Sequence, residues 1–190
     1  MRFRIDWLTA KLHAFEPTLE EVGTYAPALA AAWNDPLNAK LMGHGEAFDA
    51  EDVVDHYEAM QAEGGRTFLL FDGGLLAGDA DFRGVSALAA EFAFMVASPA
   101  AQGKGLGTRF AIMLHRFAFT ELGVQRSYAS IDPINTGSRR VFEKLGFQID
   151  ASPEARAFAD EPGDVVMSIA RESFERLHAS VFAALTIVSR

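Results

Sequence analysis

Gln102-Gly103-Lys104-Gly105-Leu106-Gly107-Thr108 lies between a nearly continuous apolar run, Glu91 to Val96, and a stretch from Gly107 to Leu122. In the latter, Phe110, Met113, Leu114, Phe117 and Ala118 recur at helical spacing. The run reads as a central strand covered on both faces and ending at Ser98-Pro99; the stretch reads as a buried helix stopped by Gly123. A glycine-rich turn in that position exposes backbone N–H groups, lets the main chain approach a ligand closely, and meets about half a positive charge at the helix start. It suits a phosphate, with Lys104 and Arg109 as additional cations. Lys104 is followed by Gly105, and the position five before Gly103 is Ser98, so the turn is not a Walker A loop. Gly103, Gly105 and Gly107 also miss the dinucleotide spacing. A strand-to-helix turn with incidental glycines stays open as the alternative.

Outward from this stretch the pattern alternates. Val124 to Ile131 reads as a strand, Thr136 to Leu145 as a helix closed by Gly146, Phe147 to Ile149 as a strand start, Ser152 to Gly163 as a long loop, and Asp164 to Ala170 as a last strand. Upstream, Thr67 to Phe71 and Leu75 to Phe82 form a hairpin about Asp72-Gly73-Gly74, with Gly78 a bulge or close approach. Before it come a strand at Leu12 to Phe15, a capping box of Thr18 and Glu21 opening a helix that Gly23 and Pro27 shorten or kink, and a helical piece at Leu37 to Met42. A further helix is capped by Asp49 and follows Val53, Tyr57 and Met60. The apolar segment Ser180 to Val188 is expected to pack on the body or on a partner chain, which leaves a homodimer open.

The chain has 190 residues, 49% hydrophobic and 23% charged, as ordinary globular proteins do, and one domain is expected over 1–190. Within it, 1–66 supplies an N-terminal strand and acceptor-side helices, 67–147 the ligand-binding core, and 148–190 the C-terminal strands and tail. The absence of cysteine removes thiolate metal sites and a Cys nucleophile, no metal-ligand spacing occurs elsewhere, and a formal charge of −9 argues against nucleic acid and anionic membranes as partners. No run of about 18 apolar residues exists, and Asp6 interrupts the start where a secretory signal would be apolar, so a cytoplasmic location is expected.

Gln102-x-x-Gly105-x-Gly107 resembles the acyl-CoA pyrophosphate motif of the GNAT superfamily of N-acetyltransferases. Ile131 to Phe147, which contains Asn135, Ser138 and Glu143-Lys144-Leu145-Gly146-Phe147, is similar to that family's second signature, and Gly74 to Gly78 looks like its glycine-bearing strand. The resemblance is good from Thr67 to Phe147. It implies an α/β (α+β) fold with a mixed, mostly antiparallel sheet of about six to seven strands flanked by helices. That sheet would splay between its fourth and fifth strands, at Glu91 to Val96 and Val124 to Ile131, with acetyl-CoA as co-substrate in the opening and no metal. Backbone groups near Met95 and Val96 would hold the thioester. The amides of Gln102, Gly103, Lys104, Gly105, Leu106, Gly107 and Thr108 would hold the pyrophosphate, and Asn135 the pantetheine arm. Arg139, Arg140 or Lys144 would contact phosphates.

Acetyl transfer needs a neutral amine, stabilisation of a tetrahedral oxyanion and a proton for the leaving thiolate. Glu91, the one acid at the head of an apolar strand facing the site, is the candidate base through water. The tyrosine the family often uses as the acid is Phe142 here, a ring beside the cofactor that cannot donate a proton. This resembles the ribosomal-protein N-terminal and antibiotic acetyltransferase branch, and makes Ser138 the candidate acid, with a helix cap as its other reading. His44, Glu46 and Tyr57 are candidate acceptor contacts, as are Asp79, Asp81 and Arg83, which alternate to one face of the strand after the hairpin, and His115 reads as structural. The implied reaction moves an acetyl group from acetyl-CoA to a primary amine, either a peptide N-terminus or a small molecule. A catalytically silent acyl-CoA-binding sensor or scaffold is the alternative.

Overall fold

Strand-period sequence in the middle of the chain builds the centre of one mixed sheet. β3 (Arg66–Asp72) and β4 (Leu75–Arg83) pair antiparallel, β4 pairs antiparallel with β5 (Ala89–Val96), and β5 pairs parallel with β6 (Arg126–Ile131). Beyond β6 lie β8 (Val165–Ala170) and β7 (Gln148–Ile149); beyond β3 lie β2 (Leu12–Phe15), β1 (Phe3–Trp7) and β9 (Leu185–Ser189). This computed structural model describes residues 1–43, 45–98 and 101–190, so His44 and the Pro99 of the expected turn lie outside the described residues.

The sheet has nine strands among the described residues, not six to seven. Both additional strands sit on one side. β1 forms a hairpin with β2 through a turn in which Lys11 takes a positive φ of 57°, so no glycine advertises it. Ser180 to Val188 divides into a 3-10 helix, Ala179–Ala184, and β9, which finds its partner in β1 across almost the whole sequence. The opening therefore falls between the fifth and sixth strands, the same two segments under a later count.

The β5–β6 pairing is brief. Ala89, Ala90 and Glu91 face Arg126, Ser127 and Tyr128, after which β5 keeps only β4 as a partner and β6 only β8. The gap widens toward Val96 and Ile131. Helices cover both faces. α4 (Leu106–Thr120) buries Phe110, Met113, Leu114 and Phe117 against one face, joined there by α5 (Thr136–Leu145) and α7 (Arg171–His178). α1 (Leu19–Trp33) and α3 (Ala50–Ala62) pack together on the other, over Leu69, Phe71 and Met95. α1 opens with the expected capping box and runs fifteen residues through Pro27, so proline does not shorten it. α2 (Pro36–Met42) leads from α1 toward the open end of the gap, and α6 (Pro153–Arg156) is a single turn within the expected long loop.

His115, on α4, is fully buried among Phe82, Phe92, Phe147 and Phe174. Its Nδ1 lies 2.8 Å from the Ala111 carbonyl and must donate there, which leaves Nε2, 2.9 Å from Ser127 Oγ, to accept. Burial lowers its pKa to about 4, so the ring is neutral and structural.

Candidate active site

β4 approaches β5 most closely at Gly78. The β3–β4 register slips beside it, and a Cβ at this residue would lie 1.9 Å from the Met95 carbonyl oxygen, so a side chain there would force the strands apart. The bulge lies against Met95 and Val96, the end of β5 that borders the gap. On the opposite rim, Gly105 takes a φ of 78° as the N-cap of α4 and contributes no side-chain cap, leaving the first amides of α4 unclaimed by side chains.

A cleft of about 290 Å³ opens between these rims, bordered by Met95, Val96, Gln102, Gly103, Gly105, Leu106, Gly107, Thr108, Asn135 and Ser138. Arg140 and Lys144, one turn apart on α5, also border it, and neither makes an ion pair among the described residues. Arg139 is instead paired with Glu143 at 3.0 Å. Among the described residues no carboxylate lines this cleft.

Several residues of the glycine turn have structural duties. The Gln102 side-chain amide donates to Asn38 Oδ1 at 2.9 Å and to the Val96 carbonyl at 3.3 Å, while Asn38 Nδ2 donates to the Ala32 and Ala97 carbonyls at 2.9 and 3.1 Å. Asn38 is buried, and through it α2 is tied to the end of β5 and to the turn. Arg109 folds back on the Lys104 and Gly105 carbonyls. Lys104 borders a separate recess with Asp72, Ser98 and Arg109, not the cleft.

Asn135 is the N-cap of α5, its Oδ1 accepting from the Ser138 amide at 3.0 Å. Ser138 is therefore not the cap. Its hydroxyl has no hydrogen-bond partner among the described residues and borders the cleft.

A second cavity of about 390 Å³ adjoins the first, sharing Leu41, Phe94, Met95, Asn135 and Ser138 with it. Its character is opposite. Asp79, Asp81, Asp132, Asp160, Glu161 and Asp164 line it, and Arg83 is its one Lys or Arg among the described residues. The loop before β8 brings in the last three acids. Ser130 Oγ donates to Asp164 at 2.6 Å and accepts from the Asp160 amide at 2.9 Å, and Arg83 reaches Asp160 at 3.4 Å. Phe142 borders this second cavity. Asp81 lines it too, bound to Arg83 at 2.8 Å.

Glu91 borders neither cavity. It is buried at the closed end of the gap, in the last paired position with Tyr128, and Arg83 lies 4.0 Å away. Burial lifts its carboxyl to about 7 against the lowering effect of Arg83. Tyr57 is buried in the α1–α3 layer, behind the cavity lining, and its hydroxyl donates to Asp79 at 3.4 Å.

A splayed mixed sheet with a glycine turn at one rim and a capped helix at the other defines an acyl-CoA-type fold. The acetyltransferase (GNAT) domain profile matches residues 18–148, and the chain belongs to the GNAT acetyltransferase family. A 61-residue segment is 38% identical to the Escherichia coli (strain K12) spermidine N(1)-acetyltransferase, covering 32% of each chain. A 58-residue segment is 38% identical to the human alpha/beta-tubulin-N-acetyltransferase 9, covering 30% of this chain and 28% of that one. The similarity thus spans about a third of the length of these curated relatives. In fold, the chain is similar to aminoglycoside acetyltransferase AAC(6')-Ib in complex with coenzyme A, with a TM-score of 0.72 at 19% identity over 87% of this chain and 98% of that one. It is also similar to Mycobacterium smegmatis RimJ in complex with CoA-disulfide, with a TM-score of 0.67 at 16% identity over 96% and 93%.

Proposed function

We propose that the protein transfers an acetyl group from acetyl-CoA to the primary amine of a cationic small molecule. The observation that carries this reading is the charge segregation of two adjoining cavities. One has free backbone amides, Arg140, Lys144 and, among the described residues, no acid; the other has six carboxylates and Arg83; they meet at Met95, Asn135 and Ser138. An anionic cofactor and a cationic acceptor entering from opposite sides would bring thioester and nitrogen together there. A peptide N-terminus, with one cation, uses this acidity less fully than a polyamine or an aminoglycoside does.

An ammonium must lose two protons to become an amide, and sulfur takes up one. Ser138, its hydroxyl unengaged at the junction, is the proposed donor to the thiolate. Glu91 is the proposed acceptor of the proton lost after attack. It works through water, because four residues of strand, roughly 13 Å, separate it from Met95. The test is incubation with acetyl-CoA and an amine panel, following free thiol and acetylated amine. Equal amounts of both, formed only with a cationic amine, are expected. Acetyl-CoA binding with no transfer to any amine would favour the sensor or scaffold reading.

A further inference from the structure

Asp79 differs from the other acids of the second cavity. It is half-buried on β4, directly across the strand pair from Met95, one of the residues shared by both cavities. Its Oδ2 is held by two donors, Trp33 Nε1 at 3.2 Å and Tyr57 Oη at 3.4 Å, and no side chain among the described residues donates to Oδ1. Asp81 is spent on Arg83, and Asp164 is bound by Ser130. Trp33 and Tyr57, both buried, leave the carboxylate little freedom to turn.

We propose that Asp79 meets the acceptor's ammonium at Oδ1 and takes its first proton, so that a neutral nitrogen attacks the thioester beside Met95. The proposal rests on the transferase reading above. An N–H bond breaks as the Asp79 O–H bond forms. The freed electron pair makes the N–C bond, and collapse of the tetrahedral intermediate breaks C–S. The second N–H proton leaves through water toward Glu91, the thiolate is protonated from Ser138, the proton held by Glu91 returns through water to the Ser138 oxygen, and Asp79 returns its proton to solvent through the cavity. Acetyl-CoA and an ammonium thus give CoA thiol, an amide and one released proton. Trp33 from α1, Tyr57 from α3 and Asp81 from β4 act on Asp79 directly, and His56 from α3, Arg83 from β4, Asp132 after β6, and Asp160, Glu161 and Asp164 before β8 line the same cavity. Burial and the Asp81 charge raise its carboxyl to about 7, against Trp33 and Tyr57, which places the loss of the base on the acid side of neutrality.

The experiment compares the unaltered protein, Asp79→Asn, Glu91→Gln and the pair Trp33→Phe and Tyr57→Phe, using spermidine and ribostamycin as acceptors and calorimetric acetyl-CoA binding as a check on folding. For Asp79→Asn, acetyl-CoA affinity should hold while kcat falls by about a hundredfold or more. Removing either donor should move the acid limb of kcat to higher pH, since each stabilises the carboxylate; this arm tests the proposal even where Asp79→Asn folds poorly. If the unaltered protein transfers acetyl and Asp79→Asn keeps kcat within about threefold, or neither donor variant shifts the limb, the inference is overturned while the transferase reading stands. If the unaltered protein transfers to neither acceptor nor to any panel amine, the reading falls and takes the inference with it.

Discussion

Asn135 and Ser138 stand one helical turn apart, yet the structure gives them different work. Asn135 caps α5, so Asn135→Ala should cost about 1 kcal/mol of stability, read as a lower thermal midpoint. Ser138→Ala removes a hydroxyl that holds nothing in the fold, so it should leave the midpoint unchanged and slow turnover. His115 sets a different limit. Its pKa is depressed in the folded state, so the stability it confers is fully present above the ordinary histidine value, about 6.5, and is lost as pH falls toward about 4. Urea midpoints measured across that interval should fall with pH, and more weakly in His115→Gln. The glycine turn, Asn135 and Ser138 could be picked out in the sequence because the signatures that mark them lie within a few residues of chain. Asp79 was marked only as one of three residues alternating to one face of its strand; what holds it was not legible, because Trp33 is 46 residues distant and meets it only once α1 lies across β4.

Among the elements, the rims of the gap depend on two long-range fits. Asn38 joins α2 to Ala97, 59 residues on, and to Gln102, 64 residues on, so a lone asparagine in a short helix carries no sequence signal of its duty. Asn38→Ala leaves the buried Ala32 carbonyl and the part-buried Ala97 carbonyl without this donor, and should cost about 1–3 kcal/mol while weakening acetyl-CoA binding measured by calorimetry. Gly78→Ala drives a methyl into the Met95 carbonyl, and should reduce both stability and acetyl-CoA affinity by spreading β4 from β5 beside the cleft proposed for the cofactor. The sequence marked Gly78 as a close approach because an isolated glycine in a strand invites that reading. It could not mark β1 and β9, since their pairing closes through a turn without glycine and across nearly the full chain.

At the scale of the whole molecule, a net charge of −9 says nothing about where the acid lies; the fold decides that. β4 supplies Asp79 and Asp81, the turn after β6 supplies Asp132, and the loop before β8 supplies Asp160, Glu161 and Asp164, so one cavity gathers acids from three parts of the chain. Arg83 links two of these parts by pairing with both Asp81 and Asp160. A partly open anionic cavity is screened by salt, so the KM for a polycationic amine should rise severalfold between about 0.05 and about 0.5 M salt, with less change in kcat. The most direct measurement is the initial rate of CoA thiol release from acetyl-CoA across mono-, di- and triamines of matched reach, at low salt. Two cavities of opposite charge forming one transfer site require kcat/KM to climb with each added cation. A flat series, or release that no amine stimulates, would contradict it.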